Sequence, residues 1–418
     1  MISLSTTCPT SANYSSNIVS LLSLFPTHRF TNTHSLTNLR FSTCWTCNTS
    51  KMSSDSLPPL PQNRIVIGCG GVGLDFLATV ASYPNPDDKI RSTSLKVQGG
   101  GNAGNALTCA ARLGLNPRII SKIANDPQGK GILEEFEADG VDTSFLTVSK
   151  EGNSPFTYII VDNQTKTRTC IHTPGYPPMI PDDISQWNLL SILDGARLAY
   201  FDGRLTETAL ILAQEAACKK IPILIDAERK RERLDDLLQL ADYAVCSAKF
   251  PQAWTEAPSI ASALVSMLLR LPNMKFVIVT LGEDGCIMLE RSENEGLESE
   301  ENDVDSLLEL LKQRKDDSVP FPACVSSLVT KLGTNGIGTV SGRLFVGTAV
   351  KIPPSELIDT TGAGDAFIGA VLYAICADMP LEKMLPFAAQ VAALGCQALG
   401  ARTGLPQRID PRLAYFFE

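Results

Sequence analysis

A chain of 418 residues with an apolar share of 44% is long enough to bury a large core, and its length permits more than one domain. A formal net charge of −9 leaves no basic stripe for neutralising phosphates along a nucleic acid, so no nucleic-acid partner is expected. No apolar run reaches the roughly 18 residues that mark a membrane span, and no membrane partner is expected either.

The first 54 residues contain no Asp or Glu, are crowded with Ser and Thr, and carry Arg29, Arg40 and Lys51. This is the composition of a transit peptide. Residues 1–60 are therefore expected to be a disordered N-terminal segment with a plastid (chloroplast) destination; initiation at Met52 would instead leave a cytosolic protein. Cys44 and Cys47 have redox-motif spacing, but no βαβ pattern surrounds them. The remaining cysteines stand singly in apolar contexts, as buried free thiols do. Two of the three histidines, His28 and His34, lie in the same tail. That leaves His172 alone in the folded part and argues against His-rich zinc sites and Ser-His catalysis.

From Arg64 onward, apolar runs alternate with helix-period segments. "RIVIGCG", "PRIISKIA", "RLAYFD", "IPILIDA", "DYAVCS" and "FVIVTLG" read as buried strands, and "NALTCAARLG", "GKGILEEFEADG", "ETALILAQEAACKK" and "ASALVSMLLRL" as amphipathic helices. The class is α/β with a mostly parallel sheet. "SPFTYIIVDNQTKTRTCIH" has hairpin character and could project from the sheet as a lid. A domain over 61–410 is expected, with lid parts at about 75–98 and 153–173, a solvated acidic insertion around one short helix at about 291–335, and a tail at 411–418.

Two glycine-rich segments compete for a phosphate. In "GCGGVG", Gly68, Gly70 and Gly73 follow a strand with dinucleotide-motif spacing. The second, acid-ended strand that such a motif needs is replaced by "YPNPDD", where Pro84 and Pro86 forbid a central strand. In "DTTGAGDAFIGAVLYAIC", Gly362, Ala363 and Gly364 lead straight into an apolar helix, so their N–H groups form an anion hole suited to a transferring phosphoryl group. Asp365 falls in the first turn, where the helix dipole would keep it ionised and able to take a hydroxyl proton; the plainer alternative is a helix cap. Two Gly pressed against it cost helix stability unless close approach is needed. Asp226 and Glu228 in "LIDAE" lie two apart at a strand end, either facing the same site near a metal or forming a solvated surface pair. No Walker-type or protein-kinase loop occurs.

"DTTGAGDAF" resembles the C-terminal signature of the ribokinase-type (PfkB) carbohydrate kinases, and "GGGNAGNALTCAARLG" from Gly99 resembles their N-terminal one. The similarity runs from about Arg64 to Pro406 and includes "TLGEDG" and "GARTGLP". "LDFLATVASYPNPDDKIR", Asn102 where ribokinases have Lys, "TRTCIH" and "FAAQVAALGC" are most similar to ketohexokinase-like members of plant-type precursor form. The resemblance implies a three-layer α/β/α sandwich with a small β lid. It implies ATP-dependent phosphorylation of a ketohexose-like sugar with Asp365 as general base, assisted by Mg²⁺ and a monovalent cation such as K⁺. Asp75, Gly101, Asn102 and Asn105 would hold the sugar, Arg168 would reach the ATP phosphates, and Thr280, Gly282 and Gly285 would lie in the nucleotide segment beside Gly364. Asp359 would belong to the monovalent-cation loop, and Asp87 would reach the partner's sugar site in a homodimer. The alternatives are a kinase of a nucleoside or other small alcohol, and a non-catalytic interaction protein on the same scaffold. The sequence departs from the family at Asn-x-x-Glu, which helps organise Mg²⁺: here Ser247, Ala248, Lys249 and Phe250 stand in its place.

Overall fold

The computed structural model describes residues 57–292, 301–315 and 321–418. The expected transit segment up to Ser56, with Cys44 and Cys47, lies outside the described residues. The six apolar runs form the centre of one sheet. Asn116–Ile120, Ile65–Cys69, Leu198–Phe201, Ile223–Ala227, Tyr243–Ser247 and Phe276–Thr280 lie side by side in that order, each neighbouring pair parallel. Their unbroken apolar character follows from burial on both faces. Val66, Leu198 and Leu224 pack toward the helices Asn102–Arg112, Ala363–Cys376 and Leu381–Cys396. Ile67, Ala199 and Ile225 point the other way, toward Thr206–Cys218 and Ile260–Arg270. The result is the expected three-layer α/β/α sandwich.

Antiparallel strands Cys286–Arg291 and Gly338–Gly347 extend the sheet on one side. The stretch expected as a solvated insertion contributes further: Glu301–Asp303, Cys324–Ser326 and Thr330–Thr334 pair into this edge. Within it the helix Val304–Arg314 buries Val304, Leu308 and Leu311. That stripe at i, i+4 and i+7 is enough to dock a helix whose other faces carry charges of both signs. The C-terminal residues also pack, through a 3-10 turn at Pro411–Phe416 that buries Leu413 and Phe416.

A second, four-stranded sheet forms the lid, in the order Ser94–Gly100, Gly73–Val80, Phe156–Asp162, Arg168–Thr173. The hairpin expected at 154–172 is present and docks in parallel on Gly73–Val80. "GCGGVG" therefore joins a strand to a strand, whereas a dinucleotide loop must open onto a helix. Its glycines serve close approach: a Cβ on Gly70 would lie 2.2 Å from the Asp202 carboxylate. Among the described residues, no helix is long and apolar enough to cross a membrane, and the cysteines are free thiols, most of them buried.

Candidate active site

Asn102–Arg112 and Ala363–Cys376 run side by side in the same direction, so their positive ends converge at one place. Gly369 allows the approach, because a Cβ there would lie 2.5 Å from Cys109 Cβ and 2.6 Å from the Ala106 carbonyl oxygen. Gly362 holds the N-cap position of the second helix in the left-handed region, with φ 74. A Cβ on Gly362 would meet Ala401 at 2.5 Å, whereas one on Gly364 would meet nothing within 4 Å. Gly364 therefore fronts open space, and the first-turn N–H groups, which have no intrahelical acceptor, are free to face an anion there.

Asp365 is partly buried, and its Oδ2 accepts a hydrogen bond from Asn105 Nδ2 at 2.8 Å. Burial pushes its carboxyl up to about 7; the Asn105 bond and Arg204 pull it down, and Asp202 and Glu228 push it up. The helix dipole alone would have kept it low, as expected from the sequence, but loss of water outweighs that pull. A base titrating near the working pH is well suited to accept a hydroxyl proton.

Asn105 spends its other amide atom on Arg402, whose Nε donates to Asn105 Oδ1 at 3.0 Å. Arg402 is 3% exposed, donates through Nη2 to the Gly100 carbonyl at 3.1 Å, and lies over the Phe136 ring at 4.8 Å. Asp75 is buried beside it. Burial pushes the Asp75 carboxyl up to about 6, while Arg402 and a hydrogen bond from Thr157 pull it down. A Cβ on Gly100 would lie 2.3 Å from that carboxylate, and Gly101, with φ 87, leaves a Cβ only 2.5 Å from the Gly71 carbonyl oxygen. No side chain other than hydrogen fits at either position.

Asn102 is not a helix cap, since Gly101 takes that position and no side-chain cap bond forms. Instead Asn102 Nδ2 donates to Asp226 Oδ2 at 3.4 Å, and its Oδ1 accepts from Arg204 Nη2 at 3.0 Å. The same guanidinium reaches Glu228 Oε2 at 3.1 Å, which Arg231 also contacts at 3.0 Å. Buried Asp202 ties this corner together, accepting from the N–H groups of Gly71 at 2.6 Å, Ala103 at 3.2 Å and Arg204 at 3.0 Å. Burial, then Asp365 and Asp202, drive the Asp226 carboxyl well above its ordinary value. Asp226 and Glu228 thus face the site rather than forming a solvated pair. No cluster of three or more His, Cys, Asp or Glu suited to a metal occurs among the described residues.

These groups sit at the carboxyl ends of adjacent strands, where open α/β sheets bind ligands. Farther along the same edge come Ser247 and its register partner Thr280, whose Oγ1 donates to the Cys246 carbonyl at 3.3 Å. Gly282 and Gly285, with φ 64 and 88, close the turn into the next strand; a Cβ on Gly285 would strike the Gly347 carbonyl oxygen at 2.1 Å. Phe250 is 1% exposed, so where the family pattern has a carboxylate this chain has core. Arg168, on the last lid strand, donates through Nη1 to Thr360 Oγ1 at 2.7 Å, beside the Gly362–Gly364 loop. Asp359 is committed to loop structure: its oxygens accept from Thr361 N at 2.9 Å, Thr361 Oγ1 at 2.7 Å and Gly400 N at 2.9 Å. Asp87 is exposed, with φ 67, in the loop at the end of the lid hairpin opposite Asp75, and does not join the site of its own chain. Arg204, Asp202 and Arg402 were not anticipated; only the arginine within "GARTGLP" lay in a motif the sequence had marked.

A family model described as pfkB family carbohydrate kinase matches residues 70–307 and 297–408. Ketohexokinase of Mus musculus is 22% identical over 353 residues, 82% of this chain and 97% of that protein. Ribokinase of Mus musculus is 21% identical over 361 residues, covering 84% of this chain and 94% of that protein. Among solved structures, Arabidopsis thaliana ribokinase complexed with ribose and ATP superposes with a TM-score of 0.61 at 18% identity, over 86% of this chain and 99% of that one.

Proposed function

Because this chain belongs to the pfkB family of carbohydrate kinases, phosphotransferases with an alcohol acceptor, we propose that it phosphorylates a ketohexose-like sugar with Asp365 as general base. The observation that carries this reading is the Asn105–Asp365 hydrogen bond at the Gly362–Gly364 helix start, one helical turn from Asn102, with Asn105 also held by the buried Arg402 that neighbours Asp75. Asp75, Asn102 and Arg204 offer the acceptor and donor pairs that a polyol needs. Asp365 takes the proton of the attacking hydroxyl. The acceptor oxygen then bonds to the γ-phosphorus of ATP, and the bond to the β-phosphate oxygen breaks to release ADP. The first-turn N–H groups steady the phosphoryl group, and Arg168 stands where it can reach the phosphate chain.

Mg²⁺ would arrive on the nucleotide and neutralise its phosphates; a hard cation needing one or two carboxylates besides phosphate and water fits Asp226 and Glu228. A monovalent cation would bind the loop that Asp359 shapes. Two lids clasped through their outer faces would make a homodimer and carry Asp87 to the partner's site. Residues 1–51 would direct the chain to plastids: fused to a fluorescent protein, they should accumulate it there, and a purely cytosolic signal would favour initiation at Met52.

The acceptor is tested by ATP turnover across D-fructose, D-ribose and nucleosides. Asn102, in place of the ribokinase Lys, leads to the expectation that fructose gives the higher kcat/KM. Turnover of a nucleoside and of no sugar would refute the reading.

A further inference from the structure

Building on the sugar-kinase reading, we infer that Thr157 and His172 of the lid are acceptor-binding residues, with His172 Nε2 exchanging a hydrogen bond with a sugar hydroxyl that is not phosphorylated. Gln98, Asp75, Thr157 and His172 are successive register partners across the four lid strands. Side chains at one register level share a face, so these four form a single polar row. The neighbouring row on that face carries Leu77 and Ile159, both buried, which identifies it as the inner face. The opposite face of the same strands carries Val97, Phe76, Tyr158 and Ile171. At this level of the sheet, polarity is thus confined to the side on which Asp75 meets the site.

Thr157 Oγ1 lies 3.2 Å from His172 Nδ1, a hydrogen bond in which either atom can donate, according to the tautomer. Burial, and after it Arg204, hold the imidazole below its ordinary range and so favour the neutral form. Neutral His172 can then give or take one further hydrogen bond through Nε2. Arg168, on the same face of that strand, reaches Thr360 Oγ1 beside the Gly362–Gly364 loop, so this face looks toward the pocket. With strands about 4.8 Å apart, Asp75 and His172 stand about 10 Å from each other across Thr157, so the row spans more than one hydroxyl of a chain. At its other end Gln98, 6% exposed, has an Nε2 with no hydrogen-bond partner.

The test is steady-state kinetics of the full chain with ATP, D-fructose and a series of monodeoxy hexoses. His172→Leu should raise KM for fructose about two- to tenfold, the range of one neutral hydrogen bond, with KM for ATP unmoved. Thr157→Val should act in the same direction, and His172→Gln, whose amide can accept or donate, should recover part of the loss. The His172→Leu penalty should vanish for the one deoxy sugar that lacks the contacted hydroxyl. A penalty equal across the series, or an unmoved fructose KM in a wild type that uses fructose, overturns this inference alone. A wild type that phosphorylates no sugar overturns it together with the sugar-kinase reading.

Discussion

A carboxyl that titrates near 3.8 in the unfolded chain and at about 7 in the folded site weakens the fold as pH rises through that window. Below about pH 4 Asp365 is protonated in both states and costs nothing. Above about 7 the folded chain must ionise it against burial, at up to about 4 kcal/mol, which partial exposure reduces to about 1–3 kcal/mol. Asp365→Asn removes this cost while still accepting from Asn105. The variant should unfold at a higher urea midpoint than wild type at pH 8, with the difference fading by pH 4; a variant less stable at pH 8 would contradict the assignment. Asp365 and its glycines were legible in the sequence because one local run encodes them. Asp202, Arg204 and Arg402 were not, because each acts on partners roughly 100 to 300 positions away, such as Ala103, Asn102 and Asn105, through contacts that no spacing records.

Among the elements, the lid divides its faces by function. The inner face meets the site, while the outer face leaves Leu95 68%, Val97 46%, Tyr158 51% and Ile171 53% exposed, a contiguous apolar patch of the kind that marks an association surface. Ile171→Asp, which lies away from the inner row, should convert a dimer to a monomer in light scattering and lower sugar affinity through loss of the partner's Asp87. A wild type that is monomeric and fully active would refute the clasp. The lid hairpin was readable from two β-prone arms and a polar turn. Its parallel docking on Gly73–Val80 was not, because long-range pairing leaves no local period. The short helix in the acidic stretch was legible, but its docking was not, because composition averaged over the stretch hides the three apolar positions that anchor Val304–Arg314.

Across the whole molecule, sheet order gives the reaction its direction. The groups proposed to hold the acceptor lie toward the ends of Ile65–Cys69, Leu198–Phe201 and Ile223–Ala227, and the segment proposed to hold the nucleotide lies at the ends of Tyr243–Ser247 and Phe276–Thr280, along one edge. The Gly362–Gly364 loop and Asp365, anchored through Asn105, stand where the two meet. The alternation of strands and helices made this class readable from the sequence, since doubly covered parallel strands must be apolar throughout. The most direct test of the account is the kcat of sugar phosphorylation by Asp365→Asn, measured beside its affinity for ATP. The account predicts a fall of about 10²–10⁴-fold, the worth of general-base help, with ATP binding preserved; turnover near that of wild type would contradict it.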